Sequence, residues 1–166
     1  MDGTPAGGPT ISQGDLHMAH AYSVLLYHVV FSTKRRAPIL TPETRALLFP
    51  YMIGIVENLD GKVVILNGVS DHVHMLVRLP SKLDVADVVK AVKAGSSTWF
   101  NQESGLRHFE WQEGYGAFTV SYSQKDRVRR YIEGQEAHHR KRSFAEEFEE
   151  MLVKHEVDFD RRFFLD

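Results

Sequence analysis

The stretch Asp71-His72-Val73-His74-Met75-Leu76-Val77 decides the fold prediction, because its residues alternate as the two faces of a β-strand require. One face carries the apolar residues, and we expect that face to be buried: Val73, Met75 and Val77. His72 and His74 share the other face, where two imidazoles can bind one divalent cation. They could equally be two ordinary histidines on an exposed sheet surface. Asp71 fits best as a turn residue, although it could also orient an imidazole.

The segments around this strand predict an α+β fold. Residues 22–32 are β-branched and aromatic, as in a buried strand, and Thr41-Pro42 is typical of a helix start. The predicted elements in chain order are a strand at 22–32, a helix from Thr41 to Asp60-Gly61, strands at 62–69 and 72–79, a helix capped by Asp84, and a strand at 113–121. This order predicts a ferredoxin-like antiparallel sheet covered by helices.

Two further helices are expected after the last strand. Ser123 with Asp126, and Ser143 with Glu146, have the spacing of capping boxes. The first of these helices carries a tyrosine and the second is acidic. We therefore divide the chain into a Gly- and Pro-rich disordered leader or expression remnant (1–18), one domain (19–142), and an acidic C-terminal helix with its tail (143–166).

Composition and charge narrow the classes of function. The chain is 43% hydrophobic and 25% charged, as in globular proteins, and no apolar run approaches the roughly 18 residues of a membrane-spanning helix. The absence of cysteine excludes disulfides, thiolate metal sites and a cysteine nucleophile, and is compatible with a reducing cytoplasm. Residues 125–142 contain seven Lys and Arg against three acidic residues, so a basic segment precedes the acidic C-terminus.

The tyrosine helix suggests a partner for the paired histidines. Tyr131 and Gln135 are four positions apart and therefore lie on one helical face. Gln135 could complete a metal site with His72 and His74, and Tyr131 could be a nucleophile beside it. An oxygen ligand suits Mg²⁺ or Mn²⁺. Alternatively, Tyr131 belongs to the buried stripe of an amphipathic helix.

Four segments together resemble the single-tyrosine HUH transposases of the smallest bacterial insertion sequences, including their REP-associated relatives. These segments are Tyr27-His28-Val29-Val30-Phe31-Ser32-Thr33-Lys34, Asp71-His72-Val73-His74-Met75-Leu76-Val77, Trp111-Gln112-Glu113-Gly114-Tyr115 and Arg130-Tyr131-Ile132-Glu133-Gly134-Gln135, and they cover about 120 residues in the family's order. The resemblance implies that His72 and His74 are the HUH histidines, Gln135 the third metal ligand and Tyr131 the nucleophile. It also implies a homodimer in which the tyrosine helix can complete the partner's site.

The resemblance further implies an activity. A transposase of this kind cleaves and rejoins hairpin-flanked single-stranded DNA through a 5′-phosphotyrosine, with Mg²⁺ or Mn²⁺ as cofactor, in the bacterial cytoplasm at the nucleoid. Lys34, Arg35, Arg127 and Arg130 are candidates for contacts with the DNA backbone, although clustered charge is also common on solvated surfaces.

Three other interpretations stay open at this point. One is a replication-initiator or relaxase nuclease with the same His-Val-His strand. Another is a non-catalytic or domesticated protein that binds single-stranded DNA. The third is a ferredoxin-like domain that binds a small ligand, with the histidines incidental. The presence of all four candidate chemical residues favours a catalyst.

Overall fold

The strands of the sheet follow the predicted pattern. The computed structural model describes residues 22–103 and 109–165, so the predicted leader at 1–18 lies outside the described residues. These residues form a four-stranded antiparallel sheet in the order β2-β3-β1-β4. Its strands are β1 (Leu25–Ser32), β2 (Lys62–Gly68), β3 (His72–Leu79) and β4 (Gly116–Val120). The predicted ferredoxin-like fold is therefore confirmed.

Five α-helices and two short 3₁₀ turns accompany the sheet in the described residues. They are α1 (Pro42–Asn58), α2 (Val85–Glu103), α3 (Lys125–Glu133), α4 (Gln135–His139) and α5 (Phe144–Lys154), with 3₁₀ turns at Lys34–Arg36 and Tyr122–Gln124. Thr41 caps α1 as predicted, because its hydroxyl accepts the backbone N–H of Thr44 at 3.2 Å. The capping box of Ser143 and Glu146 at the start of α5 is also present.

One face of the sheet packs against α1 and α2. This face is the apolar side of the His-Val-His strand, and Val73, Met75 and Val77 are all 0% exposed there. The same cluster of buried residues includes Val29 and Phe31 of β1, Leu48 and Met52 of α1, and Val88 and Val92 of α2. This core fixes the register of β3, because a slip of one residue would turn every side chain to the opposite face.

The opposite face of the sheet carries the histidines and is covered by α3 and α5. Ile132 of α3 packs on Leu26 and Leu76, whereas α5 packs on Val30 and Phe118 through apolar residues. Those α5 residues are Phe144, Phe148, Met151 and Leu152. His72 and His74 therefore lie inside a second layer of packing, which explains their complete burial.

Three local predictions were wrong. Ser123 does not cap a helix: it lies in the 3₁₀ turn Tyr122–Gln124, and α3 begins two residues later without a side-chain cap. The last strand is shorter than the predicted 113–121. The tyrosine helix, predicted to be continuous, breaks at Gly134, because glycine has a poor helix propensity. Asn67 reinforces the break, since its Nδ2 donates to the carbonyls of Ile132 (2.9 Å) and Glu133 (3.1 Å).

In the described part of the chain, every helix is too short or too polar to cross a membrane.

Candidate active site

The two histidines of β3 form the centre of the site. Both are 0% exposed, and their ring centroids are 5.1 Å apart. They share a face because β3 is a regular strand paired with β1, where Ser32 opposes His72 and Val30 opposes His74. The prediction that they project together is therefore confirmed, and the alternative of an exposed sheet face is wrong.

A neighbouring side chain holds each imidazole in place through Nδ1. His72 Nδ1 donates to Asp71 Oδ1 at 2.6 Å, and His74 Nδ1 is hydrogen-bonded to Nε2 of His28 at 2.9 Å. With Nδ1 engaged, the Nε2 atom of each ring is free to face the space under α5. Asp71 thus orients an imidazole, the role that the sequence favoured less. His28, which had no predicted role, supports the second ring.

Tyr131 lies directly beside this pair within the same chain. Its ring makes edge contacts with His74 (centroids 5.9 Å apart) and His28 (6.1 Å apart). The side chain is half-buried, whereas the next residue, Ile132, is 0% exposed and fills the apolar contact with the sheet. The phenol hydroxyl donates a hydrogen bond to Glu147 Oε1, so it points toward the histidine cluster.

Gln135 also reaches the site, although the helix breaks before it. Its side chain is 0% exposed, and Nε2 donates to Glu147 Oε1 at 3.2 Å. Within the described residues, its Oε1 atom is buried without a hydrogen-bond partner. A buried amide oxygen without a partner is costly unless a ligand satisfies it.

Two further residues complete the cluster, and neither was predicted to belong to it. The Glu147 carboxylate of α5 is 2% exposed, and its Oε2 lies 3.4 Å from Nε2 of His74 and 3.5 Å from Nε2 of His72. His139, at the end of α4, has Nε2 at 2.6 Å from the same oxygen and 3.0 Å from Nε2 of His72. The acidic C-terminal segment, which carries Glu147, had been assigned no function.

The titratable side chains of the cluster differ in the direction of their pKa shifts. Burial lowers the pKa of His28 to about 3 and that of His139 to about 4, and it also lowers the pKa of His74. Burial acts in the same direction on His72, but its hydrogen bonds to the carboxylates of Asp71 and Glu147 outweigh burial and raise the pKa of His72. Burial acts to raise the pKa of Glu147, yet the adjacent imidazoles of His72 and His74 hold it at about 2. The site thus combines one carboxylate with mostly neutral imidazoles.

These residues have the chemistry of a metal site. One ligand atom from each of His72, His74, His139 and Glu147 lies within 4.8 Å of all the others, so the group could hold a metal ion. His139 Nδ1 donates to the carbonyl of Arg142 at 2.9 Å, which leaves its Nε2 as an acceptor when the ring is neutral. His74 Nε2 has no hydrogen-bond partner in the described residues. Converging lone pairs of this kind fit a divalent cation.

The four predicted DNA contacts fall in two regions. Lys34 and Arg35 line a cavity of about 820 Å³ beside α2, although Lys34 also pairs with Glu110. Arg127 lines a second cavity, of about 850 Å³, which reaches Tyr131 and Glu147. Arg130 is exposed on α3 near Tyr131. Only the α3 residues therefore lie next to the histidine cluster.

The fold and the site define an α+β protein with a tyrosine beside a buried cluster of histidines and a carboxylate that could hold a metal ion. Residues 21–135 match the family described as "Transposase IS200 like". Because this match covers most of the chain, the protein belongs to the family of IS200-like transposases. The matched segment ends at Gln135, so His139 and Glu147 lie beyond it.

Individual relatives agree with this assignment. The chain is 27% identical over 109 residues to the transposase of insertion sequence element IS200 from Salmonella typhimurium, covering 62% of this chain and 72% of that protein. It is 27% identical over 117 residues to the ISDra2 transposase TnpA from Deinococcus radiodurans, covering 67% and 84% of the two chains. A crystal structure of a candidate transposase from Deinococcus radiodurans R1 superposes with a TM-score of 0.58 at 27% identity, covering 73% of this chain and 97% of that one.

Proposed function

We propose that this transposase cuts and rejoins single-stranded DNA through a covalent 5′-phosphotyrosine at Tyr131. The observation that carries the proposal is the convergence of the Tyr131 hydroxyl and the two imidazoles of β3 on one carboxylate, that of Glu147. A phenol in this position can approach a phosphate held next to the imidazoles, as nucleophilic catalysis requires.

The proposed reaction exchanges one phosphodiester bond for another. The Tyr131 oxygen attacks phosphorus, the new phosphorus–oxygen bond forms, and the bond from phosphorus to the 3′ oxygen breaks. The phenol loses its proton and the departing 3′ oxygen gains one, so the products are a 5′-phosphotyrosine and a free 3′-hydroxyl. Attack by a 3′-hydroxyl on the phosphotyrosine reverses the step, so strands can be rejoined without a nucleotide cofactor.

His72, His74 and Gln135 are the proposed ligands of the metal cofactor, Mg²⁺ or Mn²⁺. Support comes from the free Nε2 of His74 and the buried, unpartnered Oε1 of Gln135. A divalent cation bound there supplies positive charge that offsets the charge developing on the phosphate. Asp71 and His28 contribute by holding the two imidazoles in the orientation that binding requires.

The substrate that we propose is single-stranded DNA next to a hairpin. The cavity of about 850 Å³ leads to Tyr131, and its lining includes the cations Arg127, Arg142 and Lys154 together with the aromatic ring of Phe118. Cations that follow a backbone and rings that stack on bases are the usual features of single-strand binding. Lys34, Arg35, Arg127 and Arg130 remain the proposed backbone contacts.

We propose that catalysis takes place in cis, because Tyr131 contacts the histidines of its own chain. The homodimer implied by the resemblance stays a prediction, and so does a location in the bacterial cytoplasm at the nucleoid. If the protein is a dimer, each subunit would then carry a complete site.

The experiment that tests the proposed function looks for the covalent intermediate. Labelled hairpin-flanked single strands are incubated with the protein and Mn²⁺, and an SDS-resistant adduct is sought on a denaturing gel. We expect an adduct with the parent protein and with Tyr122→Phe, a matched control at an exposed tyrosine. Tyr131→Phe should form none.

Other results would favour other functions. An adduct that persists in Tyr131→Phe would show that another residue is the nucleophile. Hairpin binding without any adduct, in the presence of Mg²⁺ or Mn²⁺, would favour the non-catalytic DNA-binding protein.

A further inference from the structure

The Glu147 carboxylate has an unusual position for a residue of a C-terminal helix. It lies beyond the segment that matches the transposase family, yet it is 2% exposed and contacts the centre of the site. Oε2 faces the imidazole nitrogens of His72, His74 and His139, whereas Oε1 accepts hydrogen bonds from Tyr131 and Gln135. A buried carboxylate requires compensating positive charge or hydrogen bonds.

Packing that is independent of the carboxylate fixes its position. The capping box of Ser143 and Glu146 sets the start of α5. Phe144 stacks on the ring of His72, with centroids 4.5 Å apart, and Phe148 belongs to the apolar cluster on β1 and β4. The packing of α5 on the sheet therefore places Glu147 beside the histidines.

The positions of the imidazole nitrogens and of the Glu147 carboxylate oxygen favour a bound cation. Asp71 and the carbonyl of Arg142 accept from the Nδ1 atoms of His72 and His139, so the Nε2 atom of each ring carries a lone pair when that ring is neutral. These two Nε2 atoms are 3.0 Å apart and face an anionic oxygen. Electron pairs at such distances repel each other unless a proton or a metal cation lies between them, and a metal cation can bind all of these atoms at once.

We propose that Glu147 is a ligand of the divalent ion, so that α5 is part of the metal centre. This inference rests on the proposed function, because it concerns the same ion. A carboxylate adds the negative charge that neutral imidazoles and an amide lack, and it is a ligand that Mg²⁺ and Mn²⁺ prefer. Since Glu147 belongs to α5, binding of the ion and docking of α5 stabilise each other.

Mn²⁺ binding measured by titration calorimetry tests the proposal without any DNA. We compare the parent protein with Glu147→Gln, which keeps the shape and removes the charge. Glu149→Gln is the matched control, because it removes a carboxylate from the same helix that pairs with Arg161 and not with the cluster. We expect Glu147→Gln to bind Mn²⁺ at least about tenfold more weakly, and the control to bind like the parent.

Hydrogen exchange gives a second test, which reports on α5 directly. Mn²⁺ should slow amide exchange in α5 as well as in β3. The same slowing should appear in Glu149→Gln and be absent from α5 of Glu147→Gln.

Two outcomes would overturn the inference and leave the proposed function standing. The first is Mn²⁺ affinity in Glu147→Gln equal to that of the parent while His72→Ala fails to bind. The second is protection by Mn²⁺ in β3 without any change in α5. If the parent protein itself does not bind Mn²⁺ or Mg²⁺, the metal-dependent function fails as well.

Discussion

The hydroxyl of Tyr131 donates a hydrogen bond to the carboxylate of Glu147, and the other oxygen of that carboxylate faces His72 and His74. This contact joins the helix that follows the sheet to the C-terminal helix, within one chain. The candidate nucleophile is thereby held next to the imidazole pair.

Metal binding should stabilise the fold. The melting temperature of the parent protein should rise with Mn²⁺, since a ligand at 100 times its Kd adds about 2.7 kcal/mol of stability. His72→Ala and His74→Ala should show no rise, because each removes an imidazole from the cluster. Differential scanning fluorimetry measures the effect, with His155→Ala at an exposed histidine as the control. A rise that survives in both cluster variants would place the ion elsewhere.

Subunit mixing should reveal a site that is complete in one chain. Tyr131 contacts the histidines of its own chain, so a mixture of Tyr131→Phe and His72→Ala proteins should form no DNA adduct. The measurement is the yield of SDS-resistant adduct after the two proteins have been mixed and allowed to exchange subunits. Recovery of the adduct in the mixture would show that the tyrosine acts on the partner's histidines.

DNA binding should depend on salt through the cations near Tyr131. Arg127→Ala should weaken binding of a labelled single strand and lower the slope of log K against log salt by about 0.7, as expected for one lost phosphate contact. Fluorescence anisotropy at several salt concentrations measures both quantities. Lys82→Ala is the control, because Lys82 follows the opposite end of β3 and pairs with Asp60. Equal losses in the two variants would argue against a specific role of Arg127.

Stability without metal should fall in acid because His28 is buried in its neutral form. Burial lowers the pKa of His28 from 6.5 in the unfolded chain to about 3, so between these values the unfolded state binds more protons. Stability is lost as the pH falls through this range, by up to about 1.4 kcal/mol per pH unit for one such group. Urea unfolding in the presence of chelator should therefore show a shallower pH dependence for His28→Gln.

The control for this experiment is Tyr122→Phe, which changes an exposed side chain outside the histidine cluster. An identical pH dependence in the parent and in His28→Gln would mean that His28 does not carry the effect.

The fold could be predicted from local patterns because each pattern has a simple physical cause. Alternation in β3 separated Val73 from His72 and His74, and the caps at Thr41 and Ser143 marked two helix starts correctly. The errors arose where spacing alone was used. Ser123 had the spacing of a cap but lies in a 3₁₀ turn, and Gly134 interrupts a helix that the apolar spacing had continued.

The candidate site could be predicted only in part, since its remaining members come together through tertiary packing. His28 and Asp71 stood inside recognised segments, but their roles depend on distances to His74 and His72 that periodicity does not give. Glu147 was one acid among several in the C-terminal segment. Its helix start was predicted, whereas the side of α5 that meets the sheet depends on contacts with Val30 and Phe118.

Mass spectrometry of the trapped DNA adduct tests the central claim most directly. After reaction with a hairpin-flanked single strand, trypsin should cut at Arg130 and Arg140 and release residues 131–140. We predict that the mass of the bound nucleotides is found on this peptide, at Tyr131. Nucleotides attached instead to the peptide with Tyr115 and Tyr122, or a purified protein that forms no adduct with Mg²⁺ or Mn²⁺, would contradict the claim.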